Sequence, residues 1–191
     1  MPRTKEFDEA EVLDRALELF RARGFKATSF ADLTTELGVS RQSLYDTYGD
    51  KEELFLAALK RYMTAGAECM KQRLADPGPV REVLMGIFDQ LISQHCGKGS
   101  HGCLLVNTLV EIAPDSRARA LAAEHARTVE GLFISRLCVA QRAGEIEREK
   151  DPVELARFFH HTLLGMAVAA RAHDQKDALR QTARLALKVL D

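Results

Sequence analysis

The chain of 191 residues contains no tryptophan and only three tyrosines, so it offers little flat aromatic surface on which sugars or unpaired bases could stack. Five prolines and 12 glycines are too few for a collagen-like or low-complexity disordered chain. No apolar run approaches the ~20 residues a membrane-spanning helix needs. Met1 to Glu6 run into charged sequence without the apolar stretch of a secretory leader. The expectation is a cytoplasmic protein with no membrane partner, whose four cysteines (Cys69, Cys96, Cys103 and Cys138) are thiols in no zinc-ribbon or finger spacing. Charge of one sign is also lacking. Against 27 basic residues stand 28 acidic ones, a net of −1, so bulk attraction does not bring a polyanion to this protein. What is present is 46% hydrophobic residues, enough for a sizeable globular core.

Apolar periodicity is helical almost throughout, and the fold class expected is all-α with about nine helices. Leu13, Ala16, Leu17 and Phe20 follow the i, i+3, i+4, i+7 pattern, with Asp8 as N-cap and Gly24 as stop. Short elements run from Ser29 to Leu37, closed by Gly38, and from Ser40 through Leu44 to Tyr48. A long helix from Lys51 to about Ala75 ends at the breaker Asp76-Pro77-Gly78-Pro79. Further helices are expected over Val80–His95, Cys103–Ala113, Ser116–Ala143, Pro152–His173 behind the N-cap Asp151, and Lys176–Leu190.

Thr28 to Tyr45 carry the chemistry. Two short helices meet at a tight turn where Gly38 can take positive φ. Leu33, Leu37, Val39 and Leu44 are spaced to pack them on Leu17 and Phe20. Ser40 caps the second helix and leaves its first-turn N–H groups pointing outward. Gln42, Ser43 and Tyr45 then project away from Leu44, with Arg41 on the flank, as in a recognition helix that enters the major groove.

The runs Gly24-Phe25, Thr28-Ser29-Phe30, Leu37-Gly38-Val39-Ser40, Leu44-Tyr45 and Tyr48-Gly49-Asp50-Lys51-Glu52-Glu53-Leu54 closely resemble the TetR family of bacterial transcriptional repressors over about residues 8–56. The resemblance implies a homodimer that binds operator DNA and leaves it when a larger domain takes up a small-molecule effector. It implies a DNA-binding domain over residues 1–53 and a ligand-binding and dimerisation domain over 54–191. By position, Arg41 and Gln42 would read bases, matching the guanine and adenine preferences of their side chains. Ser43, Tyr45 and Thr47 would touch phosphates or a thymine methyl, beside the capping Ser40. Lys51 would hold a phosphate, and Thr28 and Ser29 would anchor the other flank. Ala31 departs from the long polar residue common there in the family, so one contact is lost. Against this stands a purely structural helix-turn-helix: residues 1–60 hold nine basic and twelve acidic side chains, and Asp46 and Asp50 face the expected DNA side.

In the larger domain Ile87, Leu91, Leu104, Leu109, Phe133, Leu137, Phe158 and Phe159 are candidate pocket walls or plain core. The polar candidates for ligand contact are Cys103, Asn107, Glu111, His160 and His161, because a buried polar group must find a partner. Glu111 faces a ligand, lies exposed or pairs with Arg117. The stretch His95 to Cys103 carries two thiols and two imidazoles in nine residues. It suits a soft metal, a reversible Cys96–Cys103 disulfide or a reactive Cys103 thiolate near Lys98, or is an incidental flexible loop. Cys69 and Cys138 are expected in the core. No cofactor and no resident metal are expected.

Phe158 to Ala170 contain no charged residue, and Gly165, Ala167, Ala169 and Ala170 permit close helix approach. With the stripe Leu179, Ala183, Ala186, Leu187 and Leu190 they can form half of an intersubunit four-helix bundle, as the resemblance implies. An enzyme is the rival class, yet no Gly-x-Ser-x-Gly, His-Glu-x-x-His or phosphate loop is present. A helical ligand- or thiol-binding protein that never meets DNA is the other.

Overall fold

A computed structural model describes residues 7–97, 101–113, 116–172 and 176–191. Among them are nine α-helices, a terminal 3-10 turn and no strand. The helices are α1 (Glu9–Arg23), α2 (Phe30–Leu37), α3 (Arg41–Tyr48), α4 (Lys51–Leu74), α5 (Val80–His95), α6 (Leu104–Glu111), α7 (Arg117–Arg142), α8 (Pro152–Ala172) and α9 (Lys176–Ala186). The all-α expectation holds.

The starts are set locally. Asp8 accepts from the Ala10 and Glu11 N–H groups, Asp50 from Glu53, Ser116 from Arg119 and Asp151 from Val153. Each satisfies an N–H that the first turn leaves without a helical partner. Three details differ from the sequence reading. First, α6 stops at Glu111 because Ile112 turns extended (φ −98°, ψ 146°) and the Glu111 side chain is held elsewhere. Second, the last helix tightens to a 3-10 turn at Leu187–Leu190, where Leu187 and Leu190 stay buried and Asp191 pairs with Arg81. Third, the end expected for α8 at His173 and the loop residues Lys98, Gly99 and Ser100 lie outside the described residues.

Two cores hold the molecule. One joins α5, α7, α8 and α9 around Phe88, Phe133, Leu137 and Phe159. The other joins α1 to α4 around Phe20, Leu33, Leu44, Phe55 and Leu59, and it also takes in Leu104 and Leu105 of α6 and Ala118 and Ala122 of α7. The helices that orient α2 and α3 are thus packed directly on the start of the larger helical region. The 24-residue α4, about 36 Å long, runs through this junction and packs on α1, α5, α6 and α7. No helix among the described residues is long and apolar enough to cross a membrane.

Candidate functional site

The turn between α2 and α3 rests on Gly38, whose φ of +69° is left-handed, and Ser29 and Ser40 cap the two helices. Ser29 and Asp32 form a reciprocal capping box, and Ser40 Oγ accepts from the Ser43 N–H at 3.1 Å. Leu44 is fully buried, which rotates its neighbours outward: Arg41, Gln42 and Tyr45 are exposed, and Ser43 and Thr47 are half-buried at the same surface. The Arg41 guanidinium carbon lies 5.2 Å from the centre of the Phe30 ring, a cation–π contact between α3 and α2. Gln42 Nε2 donates to Asp46 at 2.6 Å, so Asp46 fixes the orientation of the exposed Gln42 amide.

The acidic excess of this region is tied up within the fold. Asp14 takes a two-bond fork from Arg61, Glu36 pairs with Arg23, Glu53 with Arg117, and Asp32 and Asp50 are caps. Hydrogen bonds from Arg61, Ser29 and Arg117, respectively, lead the causes that hold Asp14, Asp32 and Glu53 below the usual carboxylate range. Arg61 and Arg117 come from outside residues 1–60, so a net count over that segment alone overstates its negative charge.

One expected contact is corrected and a second is constrained. Thr28 is 0% exposed and its hydroxyl donates to the Gly24 carbonyl at 2.7 Å, so it braces the turn and has no surface for a phosphate. Lys51 Nζ donates to the carbonyls of Phe25 and Thr28 at 3.0 and 2.9 Å and sits over the Phe25 ring, which commits two of its three N–H groups inside the protein.

Glu111 holds that same turn from the other side, accepting from the N–H groups of Phe25 (3.1 Å) and Lys26 (2.5 Å). It is neither exposed nor paired with Arg117, but a clasp between α6 and the link from α1 to α2. Gly24 (φ +84°) makes room for it, since a Cβ there would meet Glu111 Oε2 at 2.9 Å. Asn107 lies beside Glu111 in a cavity of about 290 Å³ and bonds Arg171. Neither residue lines the larger cavity.

That larger cavity, of about 540 Å³, lies within α1 and α4 to α8. Of the expected ligand contacts, Leu91, Cys103 and His160 line it. Phe133 is instead buried in the core, because α7 turns it between α5 and α8, and His161 points outward, one residue round the helix from His160. Residues outside the expected ligand contacts complete the wall: Arg21, Tyr62, Gln90, His95, His125 and also Cys69, which was expected in the core but is only half-buried and takes a bond from Gln90 Nε2 at 3.0 Å. A signal existed for two of them. Arg21 follows Leu17 by four, and His95 follows Leu91 by four, so each is a polar residue on a helix's apolar stripe.

The Cys/His stretch does not assemble as one ligand set. His95 and Cys103 border the cavity, Cys96 is buried at the end of α5, and His101 is exposed. No disulfide joins the four cysteines. The Tyr62 hydroxyl donates to Cys103 Sγ at 3.4 Å, and burial, with Cys103 beside it, pushes the Tyr62 phenol up, so it stays protonated. Among the described residues, the three-donor group close enough to share an ion is a different one: Glu130, His160 and His161, with ligand atoms within 4.8 Å of one another.

Three imidazoles at the cavity are pushed below their ordinary range. Burial is the main cause for His95, helped by Arg21, and for His125, helped by His160. For His160 burial outweighs the hydrogen bond and charge of Glu130, whose Oε1 is 3.3 Å away. The unfolded chain, with histidines near ~6.5, then binds more protons than the folded one as pH drops past that value. Stability is expected to be complete above it and to decline toward pH 5. Thermal melts across that range check this, and a melting temperature rising toward acid would contradict it.

A capped helix held out to solvent by a tight turn, sharing its core with a helical region that encloses a cavity, is the construction of a helix-turn-helix DNA-binding protein. Residues 12–58 match the family model of bacterial regulatory proteins of the tetR family, and residues 82–186 that of the tetracyclin repressor-like C-terminal domain. The chain is 34% identical over 194 residues to YezE of Bacillus subtilis (strain 168), an uncharacterized HTH-type transcriptional regulator, covering 100% of both. It is 32% identical to the HTH-type transcriptional repressor ComR of Escherichia coli (strain K12), covering 98% of this chain and 90% of that one. A cysteine mutant of the TetR family regulator CifR, solved with 26-bp double-strand operator DNA, superposes with a TM-score of 0.87 at 26% identity over 99% of this chain and 100% of its own. The chain belongs to the TetR family: it is a ligand-responsive DNA-binding transcriptional regulator.

Proposed function

We propose that this protein is a homodimeric repressor that grips a near-palindromic operator through α3 and releases it when a small molecule fills the 540 Å³ cavity. The observation that carries this is the shared core. Leu104, Leu105, Ala118 and Ala122, from helices bordering the cavity or adjoining it, pack with Phe20, Leu33 and Leu44 beneath the DNA-facing helices. A change in the cavity thereby shifts α1 and with it α3, and a coupling of about 1–3 kcal/mol is typical of such linkage. In this reading residues 1–53 carry the contacts to DNA, and 54–191 carry the effector site and the dimer interface. Ser40, Arg41, Gln42, Ser43, Tyr45 and Thr47 form the reading face, with Ser29 on the flank. DNA of the cell being its target, the protein works in the cytoplasm.

Two-fold symmetry would set the two α3 helices roughly 34–36 Å apart, one turn of DNA. Operator fragments obtained by selection from genomic DNA test the reading. Arg41→Ala is expected to weaken specific binding by about 10- to 100-fold, the equivalent of one lost bidentate base contact, while leaving the melting temperature within about 1–2 °C because the side chain is exposed. If Arg41→Ala binds the selected sequences as wild type does, α3 is not the reading helix.

A further inference from the structure

The wall of the large cavity contains two arginines, three histidines, two glutamines, two cysteines and a tyrosine, but no aspartate or glutamate. Its fixed charges are the two arginines, which pair outside the wall, Arg21 with Glu18 and Arg73 with Asp76. Two of its polar atoms are buried without a partner among the described residues, Arg21 Nε and His95 Nδ1. His95 is only 8% exposed. Arg21 spends its other nitrogens on Glu18 (2.8 Å), itself largely in solvent, and on the Gly102 carbonyl (3.3 Å). A guanidinium can only donate, so its open N–H asks for an acceptor, and an anion repays a buried cation best. Tyr62 presents its ring to the guanidinium, 6.0 Å from Arg21 Cζ, and makes no hydrogen bond to Nε. The wall also carries an apolar share, including Met63, Leu91, Leu105, Leu163 and Leu164.

We propose that the effector of this cavity is a small monocarboxylate with an apolar body, whose carboxylate is received by Arg21 and His95. The proposal rests on the reading of the cavity as the effector site and assigns its chemical class. It also names the residue that reports occupancy. Arg21 belongs to α1, three residues before Gly24, where the Glu111 clasp takes hold. A carboxylate that draws the guanidinium away from the Gly102 carbonyl loosens a bond between α1 and the segment leading into α6. The helix that supports α2 and α3 is thereby linked to the ligand by one side chain.

The test is calorimetric titration of the full-length protein with matched probes: octanoate, decanoate and 4-butylbenzoate against the corresponding primary alcohols and amines. Each carboxylate is expected to bind at least about tenfold more tightly than its alcohol, as a charged hydrogen bond implies, and the amines are expected not to bind. In Arg21→Gln the carboxylate-to-alcohol ratio is expected to fall to about threefold or less. His95→Gln, a milder change, is expected to lower the same ratio in part. If no carboxylate outbinds its alcohol in the wild-type protein, or none binds below about 1 mM, the proposal is overturned without recourse to any variant. Operator binding by the unliganded wild-type protein is measured alongside. Its absence sinks the regulator mechanism, whereas intact operator binding with no carboxylate preference sinks only this assignment.

Discussion

Replacing Phe158 and Val168 together by arginine is expected to yield a folded monomer whose operator affinity falls by about 10²–10⁴-fold, the avidity that a second half-site supplies. Both side chains are large and apolar, yet 41% and 53% exposed on α8. They lie on one face with Gly165 and Ala169, which are also exposed and let a second helix approach closely. Leu185 of α9 adds a third exposed apolar side chain at 65%. A run of this kind on two neighbouring helices is what an association surface looks like before it is covered. Two arginines facing their symmetry mates would put like charges into its centre. The monomer should itself stay folded, because neither site is core. Val168→Arg alone serves as the control, since Phe158 also packs edge-on against Phe159 at 5.6 Å. Sedimentation and mobility-shift measurements decide the matter: a dimer with unchanged operator affinity would place the interface elsewhere.

Phe20→Ala is expected to cost about 3–5 kcal/mol, the usual loss for a buried phenylalanine. Its ring is 0% exposed and stands edge-on to Phe55 at 5.1 Å, with Phe25 at 6.3 Å. The cavity left behind would open where α1 meets α4, in the core that also holds Leu33 and Leu44. Domains hold together by roughly 5–15 kcal/mol, so the variant retains little margin. At roughly 2–4 °C per kcal/mol for a chain of this size, melting should fall by about 10 °C. Operator binding should weaken as well, because α2 and α3 rest on this core. Differential scanning calorimetry tests the first effect. A fall of less than about 1 kcal/mol, below the range for buried large-to-small changes, would mean that the junction can collapse around the missing ring.

Much of the α2–α3 geometry was legible in advance. Asp8, Ser29 and Ser40 act within three residues of the N–H groups they satisfy, and Gly38 acts on its own φ. The exposed run Arg41, Gln42 and Tyr45 follows from Leu44 being buried, which periodicity alone indicates. The same local logic misjudged Thr28 and did not foresee what engages Lys51. Their types suit a phosphate, but the Gly24, Phe25 and Thr28 carbonyls that engage them lie next to them only once α1, α2 and α4 are packed.

The helices of the described residues, the caps at Asp8 and Ser40 and the α2–α3 turn were determined by the sequence by itself, because helical periodicity and capping operate over three or four residues. The cavity was decided by the tertiary structure. Its wall draws Arg21, Tyr62, His95, Cys103, His125 and His160 from positions up to 139 residues apart, as 160 − 21 shows, and no local spacing relates them. Glu111 tells the same story. As a carboxylate four residues from Asn107 it read as a ligand contact, but the N–H groups that claim it are those of Phe25 and Lys26, 86 and 85 residues earlier. A polar side chain's type states what it must bond, and only packing decides which partner is within 3 Å.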